Sequence, residues 1–404
     1  MMQGLNFWKQ KKRIHLDYAS TTPVHPEVYK AMQPFFSEKW ANASAIYTEG
    51  VMVREVIDGA RAKLAHILNV RPADCIFTSG GTESNNLAII GLIENLHGTG
   101  IAYETMEIIT TRIEHPSITE TLRSLEKRGV VIRYIPIDSD GRIDVPALQT
   151  LLSPQTRLVT CAYVNSEIGV IQDVKKISRM VRAWNDAHDT TVRIHIDACQ
   201  APLWLPCALD MLGVDMLSLD AGKCYGPKGV GVLVKRHWVS LNPIMFGGGQ
   251  EMGMRAGTEN TALIVGCVEA LVRAQKYWKA RSEKIKFLRD FFFEKITEKL
   301  PHALVNGSLT HRVANNVNIS IVGYDGEYAV ITLDAQGVSA STRSACGVGK
   351  GNGSAVVQEI SGDTARALST IRFTLGEESA RADIIRAVDA LKNYTTLMKP
   401  KIEN

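Results

Sequence analysis

Apolar residues recur along this chain at two spacings, and the alternation between them predicts helices and strands in turn. Between residues 49 and 69 they fall every three or four positions, which predicts an amphipathic helix. Short apolar runs at 75–78 and 192–197 predict buried strands instead. Further strands are predicted at 106–114, 130–137, 157–164, 214–219 and 229–235, and further helices at 116–128, at 146–152 and after Asp173. This alternation predicts an α/β fold with a large, mainly parallel sheet covered on both faces.

The pattern changes after residue 259. Two successive helices are predicted at about 259–280 and 281–299, where they would link two domains. Beyond them, strands at 313–322, 338–342 and 368–374 and helices at 325–335 and 378–395 predict a small α+β domain. We therefore expect a large α/β domain over residues 14–262 and a small C-terminal α+β domain over 263–404, with residues 1–13 as a candidate to pack on the latter.

Composition narrows the class of protein. The net charge of +4 over 404 residues is too small to indicate a nucleic-acid or membrane partner. The basic N-terminus is not followed by an apolar run, so we expect neither a signal peptide nor a membrane span. The seven cysteines are scattered without a CxxC pair, which favours free thiols in a reducing compartment over disulfides or a metal site. A cytoplasmic protein is therefore expected.

Two polar residues at strand ends give the first indication of chemistry. Lys223 follows an apolar strand and is held by the Gly/Pro-rich turn 225–229, while Asp197 ends the strand before it. Pyridoxal phosphate requires a lysine for its aldehyde and a carboxylate for its pyridinium nitrogen. Alone, each residue has an ordinary alternative, a solvated lysine or a strand-end cap. Together, on consecutive strands, they predict a pyridoxal-phosphate site.

A second candidate feature joins a strand to a helix. The glycines of Ser79-Gly80-Gly81-Thr82 leave backbone N–H groups and a hydroxyl where an anion can bind, although an ordinary helix N-terminus is the alternative. Thr82 and His115, like Asp197 and Lys223, follow the carboxyl ends of predicted strands, where ligands bind in parallel sheets.

With these residues in place, the chain resembles the cysteine desulfurases of the NifS/IscS type, in class V of the fold-type I pyridoxal-phosphate enzymes. The resemblance extends from Leu16 to Leu375. It rests on LDYASTTPVHPEV, FTSGGTESNN, IEHPSI, VNSEIGVIQDV, HIDACQ, KCYGPKGVGVL, FGGGQEMGMRAGTEN, STRSACG and STIRFTLG. It implies a homodimeric transferase that converts L-cysteine to L-alanine and supplies sulfur to an acceptor protein, for iron–sulfur clusters, thio-cofactors or tRNA.

The resemblance also implies roles for individual residues around the cofactor. Lys223 would form the Schiff base, Asp197 would hold the pyridine nitrogen protonated and Gln200 would contact the ring oxygen. His115 would stack on the ring and assist proton transfer, although a helix-capping histidine before Pro116 is the alternative.

At the phosphate end, Gly81 and Thr82 would bind the phosphate, helped by Thr258 of the neighbouring subunit. Thr258 lies in the glycine-rich segment 246–260, which matches no nucleotide-binding motif. Because residues 247–258 have no evident partner within their own subunit, we expect a homodimer in which this segment completes the partner's site.

Two residues of the small domain carry the implied roles toward the substrate. Arg372, flanked by apolar residues, would hold the substrate carboxylate. Cys346 would take the sulfur as a persulfide. A buried structural thiol is the alternative, but Cys346 is followed by glycines at 347, 349, 351 and 353, which predict an exposed loop.

Several positions depart from the family pattern. Asp220 and Gly222 replace the serine and histidine of the usual Ser-x-His-Lys, and Ser166 replaces the second Asn of Asn-Asn-Glu. Like charge beside a phosphate is costly, so we expect Asp220 to turn away and accept N–H groups of the turn 221–224. Pairing with Arg255 and protonation are the alternatives. These departures leave open a catalytically weak cofactor-binding scaffold. Another class-V activity, such as selenocysteine lyase or aminotransferase, is a separate alternative.

Overall fold

The computed structural model describes residues 13–342 and 353–398, so Cys346 lies outside the described residues. The strands are β1 Ile14–His15, β2 Cys75–Thr78, β3 Glu107–Thr110, β4 Val131–Tyr134, β5 Thr156–Ala162, β6 Arg193–Asp197, β7 Met216–Asp220, β8 Gly231–Lys235, β9 Leu304–Val305, β10 Asn316–Ser320, β11 Val338–Ser339 and β12 Thr370–Thr374. The helices are α1 Pro26–Met32, α2 Pro34–Ser37, α3 Thr48–Leu68, α4 Gly81–Gly98, α5 Pro116–Glu126, α6 Val145–Leu151, α7 Val174–His188, α8 Leu209–Leu212, α9 Thr261–Lys299, α10 Gly326–Ala335, α11 Ala355–Ser361, α12 Thr364–Leu368 and α13 Arg381–Leu397.

A seven-stranded sheet forms the centre of the large domain, in the order β2-β8-β7-β6-β5-β3-β4. Only β8 runs antiparallel to its neighbours, which confirms the expected mainly parallel α/β sheet. Separate apolar clusters pack on its two faces, so both faces are covered. Because β8 is antiparallel to both β2 and β7, the carboxyl ends of β2 and β7 lie at the same edge. That topology brings the start of α4 beside the end of β7.

The C-terminal part of the chain builds a smaller antiparallel sheet, in the order β12-β10-β9. Helices α10 and α13 pack together beside it. The short strand β1 pairs in parallel with β11. The residues that precede the large sheet are therefore hydrogen-bonded to the C-terminal part of the chain. Within the described ranges, no helix is both long and apolar enough to cross a membrane.

The two helices predicted between residues 259 and 299 are one continuous helix, α9, of 39 residues, and the expected break near residue 280 is wrong. The charged residues around position 281 do not end the helix because the rest of the protein supplies their partners. Arg281 is buried and donates to the carbonyl oxygens of Leu203 and Ala274 and, at 2.7 Å, to Glu377. The chain has no proline between residue 261 and Pro301 to interrupt the helix.

Several strands end earlier than the apolar runs predicted. The run 106–114 forms a strand only to Thr110, because a local turn then competes with the ladder. In that turn the Thr111 hydroxyl donates to Glu114 and accepts the N–H of Ile113. The turn directs Glu114 and His115 toward the carboxyl edge of the sheet, where the candidate site lies.

Candidate active site

A cavity of about 810 Å³, including its open mouth, lies at the carboxyl edge of the large sheet, within the size range of small-molecule sites. Its walls come from the ends of β5, β6 and β7, the first turns of α4 and α5, the segment after β1, and β12. The predicted residues that it brings together are Gly81, Thr82, His115, Asp197, Gln200, Lys223 and Arg372.

Asp197 ends β6 and is 8% exposed. One carboxylate oxygen accepts the Asn85 side-chain amide at 2.9 Å, and the other accepts the N–H of Cys199 at 2.9 Å. These two donors fix the orientation of the carboxylate at the cavity wall. We did not single out Asn85 from the sequence, although it stands one helical turn after Gly81 and therefore on the same face of α4.

Lys223 lies at the end of a 3-10 turn that follows β7 directly. Its amine donates to the carbonyl oxygens of Ala19, at 3.1 Å, and Ser20. The amide of Gln200 donates to the same Ala19 carbonyl at 2.9 Å. The segment after β1 therefore holds both side chains at the cavity, a contribution that the sequence patterns did not reveal.

The helix-capping role of His115 is found in the structure, and its role toward the cofactor stays a prediction. His115 is the N-cap residue of α5, where Nδ1 accepts the N–H of Ser117 at 3.1 Å, and its ring also lines the cavity. Burial lowers the pKa of His115, although the nearby charge of Asp197 opposes that shift. The ring is therefore held neutral at physiological pH, and the Nδ1 contact places its proton on Nε2.

Glu114, immediately before His115, is a buried carboxyl that the sequence patterns did not single out. It accepts the N–H of Ala162 at 2.8 Å and the hydroxyl of Thr111. Burial raises its pKa to about 8, and the charge of Asp197 adds to the shift. The residue ties the start of α5 to the end of β5.

Arg372 on β12 is only 1% exposed. Its guanidinium donates to the Ser166 carbonyl at 2.9 Å, to Asp17 at 2.7 Å and to the Ser20 hydroxyl at 3.1 Å. Its Nε has no hydrogen-bond partner among the described residues. A buried donor without a partner is costly, so this atom is an unfavourable feature of the structure. The predicted substrate-binding arginine is therefore at the cavity, paired with a carboxylate that the sequence reasoning missed.

At the start of α4, the structure corrects one expectation. Asp220 accepts the N–H of Gly222 at 2.8 Å, as expected, but its other oxygen accepts the N–H of Gly81 at 3.0 Å. The carboxylate therefore does not turn away from the predicted phosphate position. Arg255 pairs with Glu83 at 3.1 Å instead of with Asp220.

Thr258 is not brought to the cavity of its own subunit and lies in a separate surface depression. Its role in a partner's site stays a prediction. The expectation that residues 247–258 lack partners within their own subunit is wrong. Glu251 in this segment forms a buried ion pair with Arg61 and accepts the N–H of Phe77 at 2.9 Å.

The comparisons with known proteins identify the family of the chain. The family model of class-V aminotransferases matches residues 14–386. Cysteine desulfurase IscS of Dictyoglomus turgidum is 38% identical over 382 residues, covering 95% of this chain and 94% of that protein. A solved NifS-like protein has a TM-score of 0.87 and 29% identity, covering 96% of this chain and 100% of that one. The structure of SspA in complex with cysteine has a TM-score of 0.76 and 31% identity, covering 90% and 98%.

Proposed function

The chain belongs to the aminotransferase class-V family and is a cysteine desulfurase, and we propose that it uses pyridoxal phosphate on Lys223 and passes sulfur to Cys346. The observation that carries this proposal is the presence of Asp197 and Lys223 in one cavity, at the ends of the neighbouring strands β6 and β7. The names of the relatives and the fold support the same reaction, L-cysteine to L-alanine.

The residues of the cavity fit the cofactor. When bound, pyridoxal phosphate is an electron sink that allows a proton to leave Cα of an amino acid. Lys223 offers the amine for its aldehyde, and Asp197, held by Asn85 and the Cys199 N–H, offers the carboxylate for its ring nitrogen. Because burial lowers the pKa of His115, its neutral ring can lie against an aromatic ring without adding a positive charge there.

Arg372 is proposed to bind the substrate carboxylate. Arg372 lines the cavity, and its guanidinium carries the positive charge that favours a carboxylate, with Nη1 and Nη2 oriented by Ser166 and Asp17. A carboxylate bound there would gain a charge-assisted hydrogen bond. The amino group of the substrate would then lie on the Lys223 side of the cavity.

The sulfur-transfer step needs a thiolate, and Cys346 is the candidate. The Cys346 thiolate attacks the substrate sulfur, an S–S bond forms, the C–S bond breaks, and its electron pair and a proton complete the methyl group of alanine. The products are one alanine and one persulfide for each cysteine. Burial raises the pKa of all six cysteines that the structure describes, which disfavours the thiolate form at each of them.

We also propose the wider setting of the reaction. The enzyme works as a homodimer in which Thr258 reaches the partner's phosphate site, and it hands the sulfur to an acceptor protein. The six free thiols of the described residues, five of them buried, support a reducing compartment such as the cytoplasm.

The test is incubation of the purified protein with L-cysteine, measuring alanine and sulfide with and without a thiol reductant. We expect equal amounts of alanine and sulfide when reductant is present. Cys346→Ser should keep the absorption band of the bound cofactor but lose sulfide release, whereas Cys207→Ala, at a buried thiol that does not line the cavity, should keep both. Lys223→Ala should abolish covalent cofactor attachment. A protein that stays colourless with added pyridoxal phosphate would refute the proposal, and full activity in Cys346→Ser would place the nucleophile elsewhere.

A further inference from the structure

The carboxylate of Asp220 occupies the anion-binding position at the N-terminus of α4. Its two oxygens accept N–H groups from Gly81, 139 positions away in the chain, and from Gly222. The N-cap residue Gly80 has no side chain to cap this terminus, and Glu83 in the first turn accepts the N–H of Ser79 instead. Asp220 supplies the side-chain acceptor for the first helical N–H, that of Gly81.

Two glycines allow close packing beneath this end of the cavity. A side chain at Gly81 would place its Cβ 2.5 Å from the sulfur of Cys199, and one at Gly231 would lie 2.6 Å from the backbone of Gly80. The glycines let β2, β8 and the start of α4 approach one another. The first N–H of the helix consequently faces the end of β7, where Asp220 stands.

No ion pair to Asp220 is found in the part of the chain that the structure describes. Arg255 is engaged by Glu83, and the amine of Lys223 is held by the carbonyls of Ala19 and Ser20. The charge of Asp220 is therefore compensated chiefly by backbone N–H groups and the helix terminus. A second anion brought to the same terminus would meet that charge.

We propose that Asp220 is a specificity-determining residue that competes with the phosphate of pyridoxal phosphate for the Gly81 N–H. This inference rests on the proposed function, because it concerns the cofactor of that site. Its consequence is that the enzyme gains little affinity from the phosphate group. It should then discriminate only weakly between pyridoxal phosphate and pyridoxal, which share the ring and aldehyde but differ in the phosphate.

The expected change in the Kd for pyridoxal phosphate follows from the charges of Asp220 and the phosphate. Two like unit charges about 4 Å apart at an effective dielectric of 20 repel enough to weaken binding by about a thousandfold, and salt and relaxation reduce this. Asp220→Asn removes the charge but keeps an oxygen that can accept the Gly81 N–H. We expect Asp220→Asn to lower the Kd for pyridoxal phosphate by about tenfold to a hundredfold, with less than about a threefold change for pyridoxal.

The experiment titrates cofactor-free enzyme with each compound and follows the absorption of the bound form, with unfolding measured in parallel. Asp173→Asn is the matched control, since Asp173 also caps a helix with its carboxylate but lies at the start of α7. That variant should change neither Kd. An unchanged or higher Kd for pyridoxal phosphate in Asp220→Asn overturns the proposal.

A second measurement needs no variant. The ratio of the wild-type Kd values for pyridoxal and pyridoxal phosphate should stay below about 100, and a ratio above about 1000 overturns the proposal even if Asp220→Asn does not fold. Failure of the proposed function has a different signature. If pyridoxal phosphate binds as predicted but cysteine yields no alanine, the proposed function fails while the role of Asp220 stands.

Discussion

Replacing Glu251 by glutamine should destabilise the protein by about 3–5 kcal/mol, because it breaks a buried ion pair and leaves a guanidinium uncompensated. The Glu251 carboxylate accepts two hydrogen bonds from Arg61, at 2.6 and 2.7 Å, and the N–H of Phe77. The two side chains are 2% and 9% exposed. Glutamine retains one acceptor oxygen and presents an N–H₂ group to the other guanidinium nitrogen.

The Arg61–Glu251 ion pair also stabilises an unfavourable backbone conformation at Glu251 and Met252. Glu251 and Met252 have φ values of 48° and 58°, a left-handed conformation that costs non-glycine residues on the order of 1 kcal/mol or more each. The ion pair offsets that cost and fixes the start of the segment that leads to Thr258. Losing it should therefore loosen the segment as well as lower the free energy of unfolding.

The assay is urea unfolding followed by circular dichroism, together with sedimentation to measure the dimer. Glu120→Gln is the matched control, since the Arg123–Glu120 pair is about 60% exposed on both sides and should contribute less than about 1 kcal/mol. The double variant Arg61→Met/Glu251→Leu should recover much of the loss, because no buried charge remains unpaired. A Glu251→Gln effect no larger than that of Glu120→Gln would refute this reasoning.

Two further predictions concern the carboxyl beside His115 and the dimer. Burial raises the folded-state pKa of Glu114 from 4.5 to about 8. Between pH 4.5 and pH 8 the folded state therefore binds one proton more than the unfolded state, and the free energy of unfolding should fall as pH rises through this range. Glu114→Gln should flatten this dependence in urea unfolding at pH 5 and pH 8, and an unchanged slope would contradict the assignment. Thr258→Ala should weaken cofactor retention without changing the unfolding free energy, and a fully active monomer in sedimentation would contradict the shared site.

The sequence predicted the sheet and the positions of Asp197 and Lys223 because both depend on local patterns. An apolar run bounded by glycine or proline marks a strand, and its last residue is at the carboxyl edge whatever the order of the strands. The continuity of α9 was not predictable in this way. Whether Arg281 ends a helix or is buried within one depends on Leu203 and Glu377, which are distant in the chain.

The side-chain pairings in the cavity were harder to predict from the sequence, because they too depend on residues that are distant in the chain. Asn85 meets Asp197 only because α4 starts near the end of β6, and Asp17 meets Arg372 only because β1 joins the C-terminal part of the fold. The contact of the Asp220 side chain with Gly81 depends on β8 lying antiparallel between β2 and β7. Local patterns carry no information on strand order, so these contacts had to come from the structure.

The two positions expected to bind anions already have a carboxylate of the protein as partner, but they differ in the charge that they offer. Arg372 donates to Asp17, Ser166 and Ser20, so a substrate carboxylate would compete with these acceptors for its guanidinium. Gly81 has a single N–H, which Asp220 accepts, so any other acceptor there must take its place. The guanidinium carries a full positive charge, whereas the N-terminus of α4 carries only a partial one. The substrate end of the cavity should therefore be the more selective for negative charge.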